Sequence, residues 1–402
     1  MSTSRIATRV RRIKPSPSTS AADRANELRR QGKSIVNLVV GEPDFDTPAH
    51  IRRAAALAMD KGATRYTLMA GTVELRQAIA AKLERDSGLA YSLNEIIATA
   101  GAKSAIYSAF AITLEPGDEV IIPAPYWVSY PDMTLACDGK PVIVTCPEES
   151  GFKLTPAQLD AAITPRTRWL LINSPSNPTG AAYTVAEYRT LAEVLARHPH
   201  VLVMTDDIYE HIRFDGRRTP HFLQAAPELR DRMLVINSLS KTYAMTGWRI
   251  GYAAGPRDLV QALDTLLSQS TGNCCSISQA AAVAALSGDQ RFVNESVAVY
   301  KQRRDVTLAR INAIPGLSCR VPEGAFYLYV GCAGLIGKRT SDGKVLEQDS
   351  DVVMYLLNSV GVAVVAGTAY GLSPYFRLSI ATSIEILEEG CKRIASAVAA
   401  LH

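Results

Sequence analysis

The chain predicts an α/β fold: a large domain with a mostly parallel sheet flanked by helices, plus a smaller α+β domain. Two observations predict it. Short apolar runs of strand length alternate with helix-like stretches through most of the 402 residues, as in a parallel sheet with helical crossovers. Several of those runs end in polar or small-residue turns that hold reactive side chains, and open α/β sheets bind ligands at the C-terminal ends of their strands. The composition, 47% hydrophobic and 20% charged, is ordinary for a globular protein with length enough for a core.

In chain order, residues 1–22 carry Arg5, Arg9, Arg11, Arg12 and Lys14 and no acid. That composition is shared by transit peptides; the favoured reading is a basic arm that packs on a partner subunit. Residues 22–31 read as a helix ending near Gly32, and 35–40 as a strand stopped by the turn-rich 41–48. Residues 51–61 are helical, and Glu74-Leu75-Arg76 opens another helix. A strand at 95–100 runs into Gly101-Ala102-Lys103-Ser104-Ala105 and a helix to about 114. Free N–H groups and the positive end of a helix dipole make such a junction suited to an anion. Strands at 119–122 and 141–146 follow, the first leading to Pro125-Tyr126-Trp127. Thr155 is the expected N-cap, and Pro156 the first residue, of the next helix. A strand at 169–173 ends in the proline-rich 174–180, one at 201–205 ends at Asp206-Asp207, and one at 233–237 leads to Ser238-Leu239-Ser240-Lys241. After β-like 250–254, residues 256–310 are helical. The remainder gives strands at 321–329, 362–365 and 374–381, a turn at 341–343, and a last helix from 383 to about 400.

Function classes narrow quickly. A net charge of +4 is too small for a nucleic-acid footprint. Seven cysteines, an odd number without a C-x-x-C pair, fit a reducing compartment and argue against a disulfide framework or a zinc site. No unbroken apolar run is long enough to span a membrane. No repeat, G-x-G-x-x-G, Walker A string or G-x-S-x-G elbow is present. The absent glycine fingerprint disfavours a nicotinamide dehydrogenase. A cytoplasmic protein without metal, membrane or nucleic-acid partner is expected.

Gly101, Trp127, Asn177, Asp206 and Lys241 each lie within a few residues of a predicted strand's C-terminal end. A lysine just past a strand end, close behind two serines, reads as a Schiff-base lysine with phosphate-binding neighbours, against an ordinary surface lysine. Two acids ending a buried strand are costly unless paired; a protonated ring nitrogen is one partner, and a helix N-cap role is the alternative, above all for Asp207. Arg377 inside an apolar run wants an anion, either a substrate carboxylate or a structural ion pair.

The block from Ser238 to Gly251, SLSKTYAMTGWRIG, resembles the lysine motif of class I pyridoxal 5'-phosphate (PLP) aminotransferases of fold type I. The strings GEPDFDTP at 41–48 and NSPSNPTG at 173–180 are similar to that family's as well. The likeness runs from about Lys14 to Ser383 and looks closest to the bacterial aspartate aminotransferase branch. It implies an N-terminal arm at 1–14, a small domain at 15–48 and 311–402, and a large PLP-binding domain at 49–310.

By this resemblance Lys241 carries PLP and is the catalytic base. Asp206 meets the ring nitrogen, Tyr209 and Asn177 the ring's O3′, and Trp127 stacks on the ring. Ser238, Ser240, Arg249, the N–H groups near Gly101 and Ala102, and Tyr66 of the partner subunit hold the phosphate, which implies a homodimer with shared sites. Many family members carry a second glycine where this chain has Ala102. Arg377 clamps the substrate α-carboxylate with Asn177, Trp127 and Gly41. Lys103 matches the lysine that recognises the distal carboxylate in the bacterial branch, and a surface lysine at a helix start is the other reading.

The expected reaction is L-aspartate and 2-oxoglutarate to oxaloacetate and L-glutamate, with ping-pong kinetics. Prephenate, aromatic amino acids or alanine are alternative substrates, and a PLP-dependent lyase of the same fold would share every cofactor residue. A PLP-sensing regulator needs a DNA-binding segment, for which the residues before Lys14 are too few.

Overall fold

A computed structural model describes residues 5–402, except the side chain of Ser18. Its strands are β1 (Val36–Asn37), β2 (Ile96–Thr99), β3 (Glu119–Ala124), β4 (Lys140–Thr145), β5 (Thr167–Asn173), β6 (Leu202–Asp206), β7 (Met233–Ser238), β8 (Gly251–Ala254), β9 (Tyr327–Gly331), β10 (Val362–Ala363), β11 (Val365–Ala366) and β12 (Tyr375–Ser379).

The central sheet has seven strands in the order β2-β8-β7-β6-β5-β3-β4. Neighbours from β4 to β7 pair in parallel, and β8 runs against both β2 and β7. β2 therefore points the same way as the parallel strands. The apolar runs behind these strands are near-continuous because both faces are covered by helices. Alternate residues serve opposite faces. Leu170 and Ile172 of β5 pack with Ile121, Val203 and Val235 in one core, while Trp169 and Leu171 pack with Val120, Ile122 and Met204 in another.

A further core gathers β9, β12 and the helices Arg291–Asn312, Asp349–Val360 and Ile384–Ala399. Its sheet is three-stranded, β11-β12-β9, with antiparallel pairing. Thr155 caps the helix Pro156–Ala162 as expected, accepting from the Gln158 N–H.

The structure differs from several of the expected elements. The strand at 35–40 is reduced to β1, because Asn37 turns back to accept the Val39 N–H at 3.1 Å. The strand at 321–329 begins only at Tyr327. Before it, Ala325 is left-handed at φ 56°, and Gly324 is packed against the Ile212 carbonyl and Pro175. The stretch 362–365 divides between two sheets, β10 pairing with β1 and β11 with β12. Helical 256–310 is three helices, Arg257–Ser268, Ser276–Ser287 and Arg291–Asn312.

The helix expected at 22–31 spans Pro17–Arg30, starting earlier than expected, and a four-residue turn of helix, Thr8–Arg11, precedes it. The basic arm before it lies on its own chain: Arg9 and Arg12 pair with Asp138, and the Lys14 N–H reaches Asp132 at 3.1 Å. Residues 1–4 of the arm lie outside the described residues. Among the described residues, no helix is long and apolar enough to cross a membrane.

Candidate active site

At the C-terminal ends of β3, β5, β6 and β7 the chain encloses a cavity of about 290 Å³. Lys241 stands on the short helical turn Leu239–Thr242, directly after β7. Ser238 starts that turn, its Oγ accepting the Ser240 N–H at 3.1 Å. Lys241 Nζ donates to the Gly41 carbonyl. Burial pushes the Lys241 amine down to about 8; Arg377 and Arg249 add to the shift, and Glu42 and Asp206 oppose it. An amine so placed is neutral in part near physiological pH.

Asp206 ends β6 at 3% exposure. Tyr130 Oη donates to its Oδ2 at 2.6 Å, and burial raises the carboxyl to about 6, against that hydrogen bond. Its neighbour points to the other face of the sheet: Asp207 accepts from Thr205 Oγ1 at 3.1 Å and stands 3.2 Å from His221 Nε2. Of the adjacent acids only Asp206 reaches the cavity, and the N-cap reading of Asp207 does not hold.

Arg377 lies on β12 and is 2% exposed. Nη1 donates to Asn177 Oδ1 at 3.1 Å and Nη2 to the Val39 carbonyl at 2.6 Å. Nε is buried with no acceptor, and no carboxylate pairs with the group among the described residues. The rings of Tyr327 and Tyr370 lie 4.4 and 5.2 Å from the guanidinium carbon. A buried cation without an anion is expensive, so the ion-pair reading fails and an external anion is called for. Asn177 is held in turn by Asn173, whose Oδ1 accepts the Asn177 N–H at 2.8 Å and whose Nδ2 donates to the Asp206 carbonyl at 2.7 Å.

Tyr209 shares a hydrogen bond of 2.9 Å with Tyr327 Oη. Trp127 stands edge-on to Tyr130 with centroids 5.3 Å apart, and Lys103 Nζ lies 4.8 Å from a Trp127 ring centroid. Burial and Arg249 lower the Lys103 amine. Ala102, Ser240 and Arg249 complete a cationic, N–H-rich corner of the wall. Gly101 lies just behind it, at φ 91°, where a Cβ would meet Arg249 Nη2 at 2.7 Å. Only glycine allows this arginine so close to the helix start. Ser238 is also behind the wall, with its Oγ 2.8 Å from both Ser240 Oγ and the Ile250 carbonyl.

Tyr66 is 97% exposed and does not reach this chain's own cavity. The structure adds residues that sequence reasoning passed over: Tyr130, Asn173, Tyr327, and Ser16 and Thr19 from the N-terminal segment. Tyr130 follows Trp127 by one helical turn, a signal that was present. Ser16 and Thr19 carry no such signal.

A family model described as aminotransferase class I and II matches residues 33–394. The chain belongs to this family. As an aminotransferase it has similar relatives along its whole length. It is 53% identical to the aspartate aminotransferase of Rhizobium meliloti (strain 1021) over 391 residues, 97% of this chain and 95% of that protein. It is 51% identical to the aspartate/prephenate aminotransferase of Cereibacter sphaeroides over 390 residues, 97% of this chain and 98% of the other. The crystal structure of the aspartate aminotransferase from Rhizobium meliloti superposes with a TM-score of 0.97 at 52% identity, covering 99% of this chain and 100% of that one. The mostly parallel α/β sheet is thus an aminotransferase architecture.

Proposed function

We propose that the protein transfers the amino group of L-aspartate to 2-oxoglutarate, yielding oxaloacetate and L-glutamate in ping-pong order with PLP as cofactor. The observation that carries this reading is Arg377, a buried guanidinium with a free Nε and no carboxylate partner among the described residues, on the wall that also holds Lys241. It fits the α-carboxylate of an amino acid.

The residues present fit PLP. Ser240, Arg249 and the Gly101-Ala102 turn offer cations and N–H donors for a phosphate, and Gly101 takes a positive φ of 91° beside the Arg249 guanidinium. Asp206, whose carboxyl is raised by burial, suits a protonated ring nitrogen. When bound, PLP supplies an aldehyde that takes up the amino group and a ring that stabilises negative charge at the substrate α-carbon.

Lys241 Nζ, with its lowered affinity for protons, removes the proton from that α-carbon. Asp206 keeps the ring nitrogen protonated, and Tyr130 fixes the carboxylate that does so. Arg377 and Asn177 orient the α-carboxylate, while Tyr209 and Asn177 offer donors to the ring oxygen. Lys103, over Trp127 and without an ion pair among the described residues, takes the distal carboxylate. Tyr66 serves the site of a second copy in a homodimer, which accounts for its full exposure here.

Spectroscopy tests this. L-aspartate added to PLP-loaded protein should bleach the cofactor's long-wavelength band and build that of its amino form. Failure to bind PLP, or a band that responds only to other amino acids, overturns the reading. Prephenate is the second reading, favoured by the aspartate/prephenate name of a relative 51% identical, against 53% for the first. A prephenate kcat/KM matching that for 2-oxoglutarate would make it the better description.

A further inference from the structure

A second cavity, of about 510 Å³, shares no wall residue with the one holding Lys241. Three segments form it: the end of the helix Val73–Ser87, the turn at 210–219 after β6, and the start of the helix Arg291–Asn312. Arg85, Arg213, Arg217 and Arg218 converge on it. Its two wall acids are already matched, since Lys82, 2% exposed, pairs with Glu210 and lies 3.7 Å from Asp86. Arg85 Nε adds a contact to Asp86 at 2.8 Å.

Arg213 is 9% exposed. Its Nε and Nη2 grip Asp215 at 2.8 and 2.9 Å, while Nη1 is buried with no hydrogen-bond partner. Arg218 Nη1 rests on the Arg85 and Asp86 carbonyls at 3.0 and 3.5 Å. Among the described residues neither Arg217 nor Arg218 forms an ion pair, although both border the cavity. Positive charge is therefore left over inside a concavity of ligand size.

We propose that this cavity is a second binding site, for a small anion bearing phosphoryl groups. Guanidinium groups present forked donors that match phosphate oxygens. Approach from several chain segments suits a tetrahedral, multiply charged group better than one planar carboxylate. The wall includes the guanidinium-bearing Arg213 and, at exposed positions, Arg217 and Arg218.

Calorimetric titration with inorganic pyrophosphate tests it, with hydrogen-exchange mass spectrometry to locate the ligand. Wild-type protein should bind saturably and gain protection at 210–219. R217S/R218S, both at exposed positions, should weaken this binding at least tenfold. The control K33S/K61S, removing equal charge from exposed sites elsewhere, should leave it unchanged. No saturable binding, protection confined to residues around Lys241, or equal loss in both double variants overturns the proposal.

Discussion

At the residue scale, the hydroxyl of Tyr130 holds Asp206, the acid among the described residues of the cavity wall. Y130F removes the 2.6 Å hydrogen bond to Asp206 and leaves the ring in place. Hydrogen bonds to charged groups are worth about 1.5–3 kcal/mol, so kcat should drop roughly ten- to a hundredfold while the aromatic packing stands; steady-state kinetics with circular dichroism checks both. R377K retains the charge and loses the fork. Its kcat/KM for the amino acid should drop by about one to two orders of magnitude, measurable with the amino donor varied. Asp206 also sets a pH dependence in the ligand-free protein. Its folded pKa, about 6, is raised above the usual carboxylate value, so the folded state binds the proton more tightly than the unfolded chain. This term stabilises as pH falls from 7 towards 4 and is lost as pH rises through 6. Thermal melts of wild type and D206N between pH 5 and 7.5 should diverge in that sense, and a cation beside Asp206 should abolish the difference.

At the scale of elements, the buried Lys82 on the helix Val73–Ser87 ties three segments together. It pairs with Glu210, which accepts from Asn237 Nδ2 at 2.6 Å; Asn237 Oδ1 accepts the Ser238 N–H at 2.7 Å, at the start of the lysine turn. K82M leaves Glu210 buried without its countercharge, and breaking such a pair costs about 3–5 kcal/mol. The melting temperature should drop clearly, and K82M/E210L should recover part of it. None of this network was legible in the sequence, because Lys82 and Glu210 are far apart in the chain and neither pattern nor propensity links them. The strand ends were legible: each apolar run of the central sheet stops where the turn residues begin. The break before Tyr327 was not, since nothing in the string Val321–Phe326 announces a left-handed Ala325. The residues alone marked Lys241 and Arg377 as charges set beside or inside apolar runs, and the roles proposed for them came from the resemblance to the aminotransferases.

At the scale of the whole molecule, the cavity draws on residues as distant as Gly41 and Arg377, and on both the central sheet and the antiparallel one. No contiguous piece of the chain contains it, which fits a family match spanning residues 33–394. Lys103 belongs to this scale too, since the proposed function gives it the choice among substrates. K103S should lower kcat/KM for aspartate well below that for alanine, and comparing the two donors separates specificity from a general defect.

Tyr66 turns its whole ring outward. If one chain completes the other's site, two different dead alleles can rescue each other. Neither K241A nor Y66A alone should turn over at a normal rate. In a mixed population, half the pairings of unlike chains' sites unite an intact lysine with an intact tyrosine, and activity should return towards a quarter of wild type as subunits exchange. A host lacking its own enzyme would then grow when carrying both alleles and fail on either one, so that the unit of inheritance for this activity is the pair.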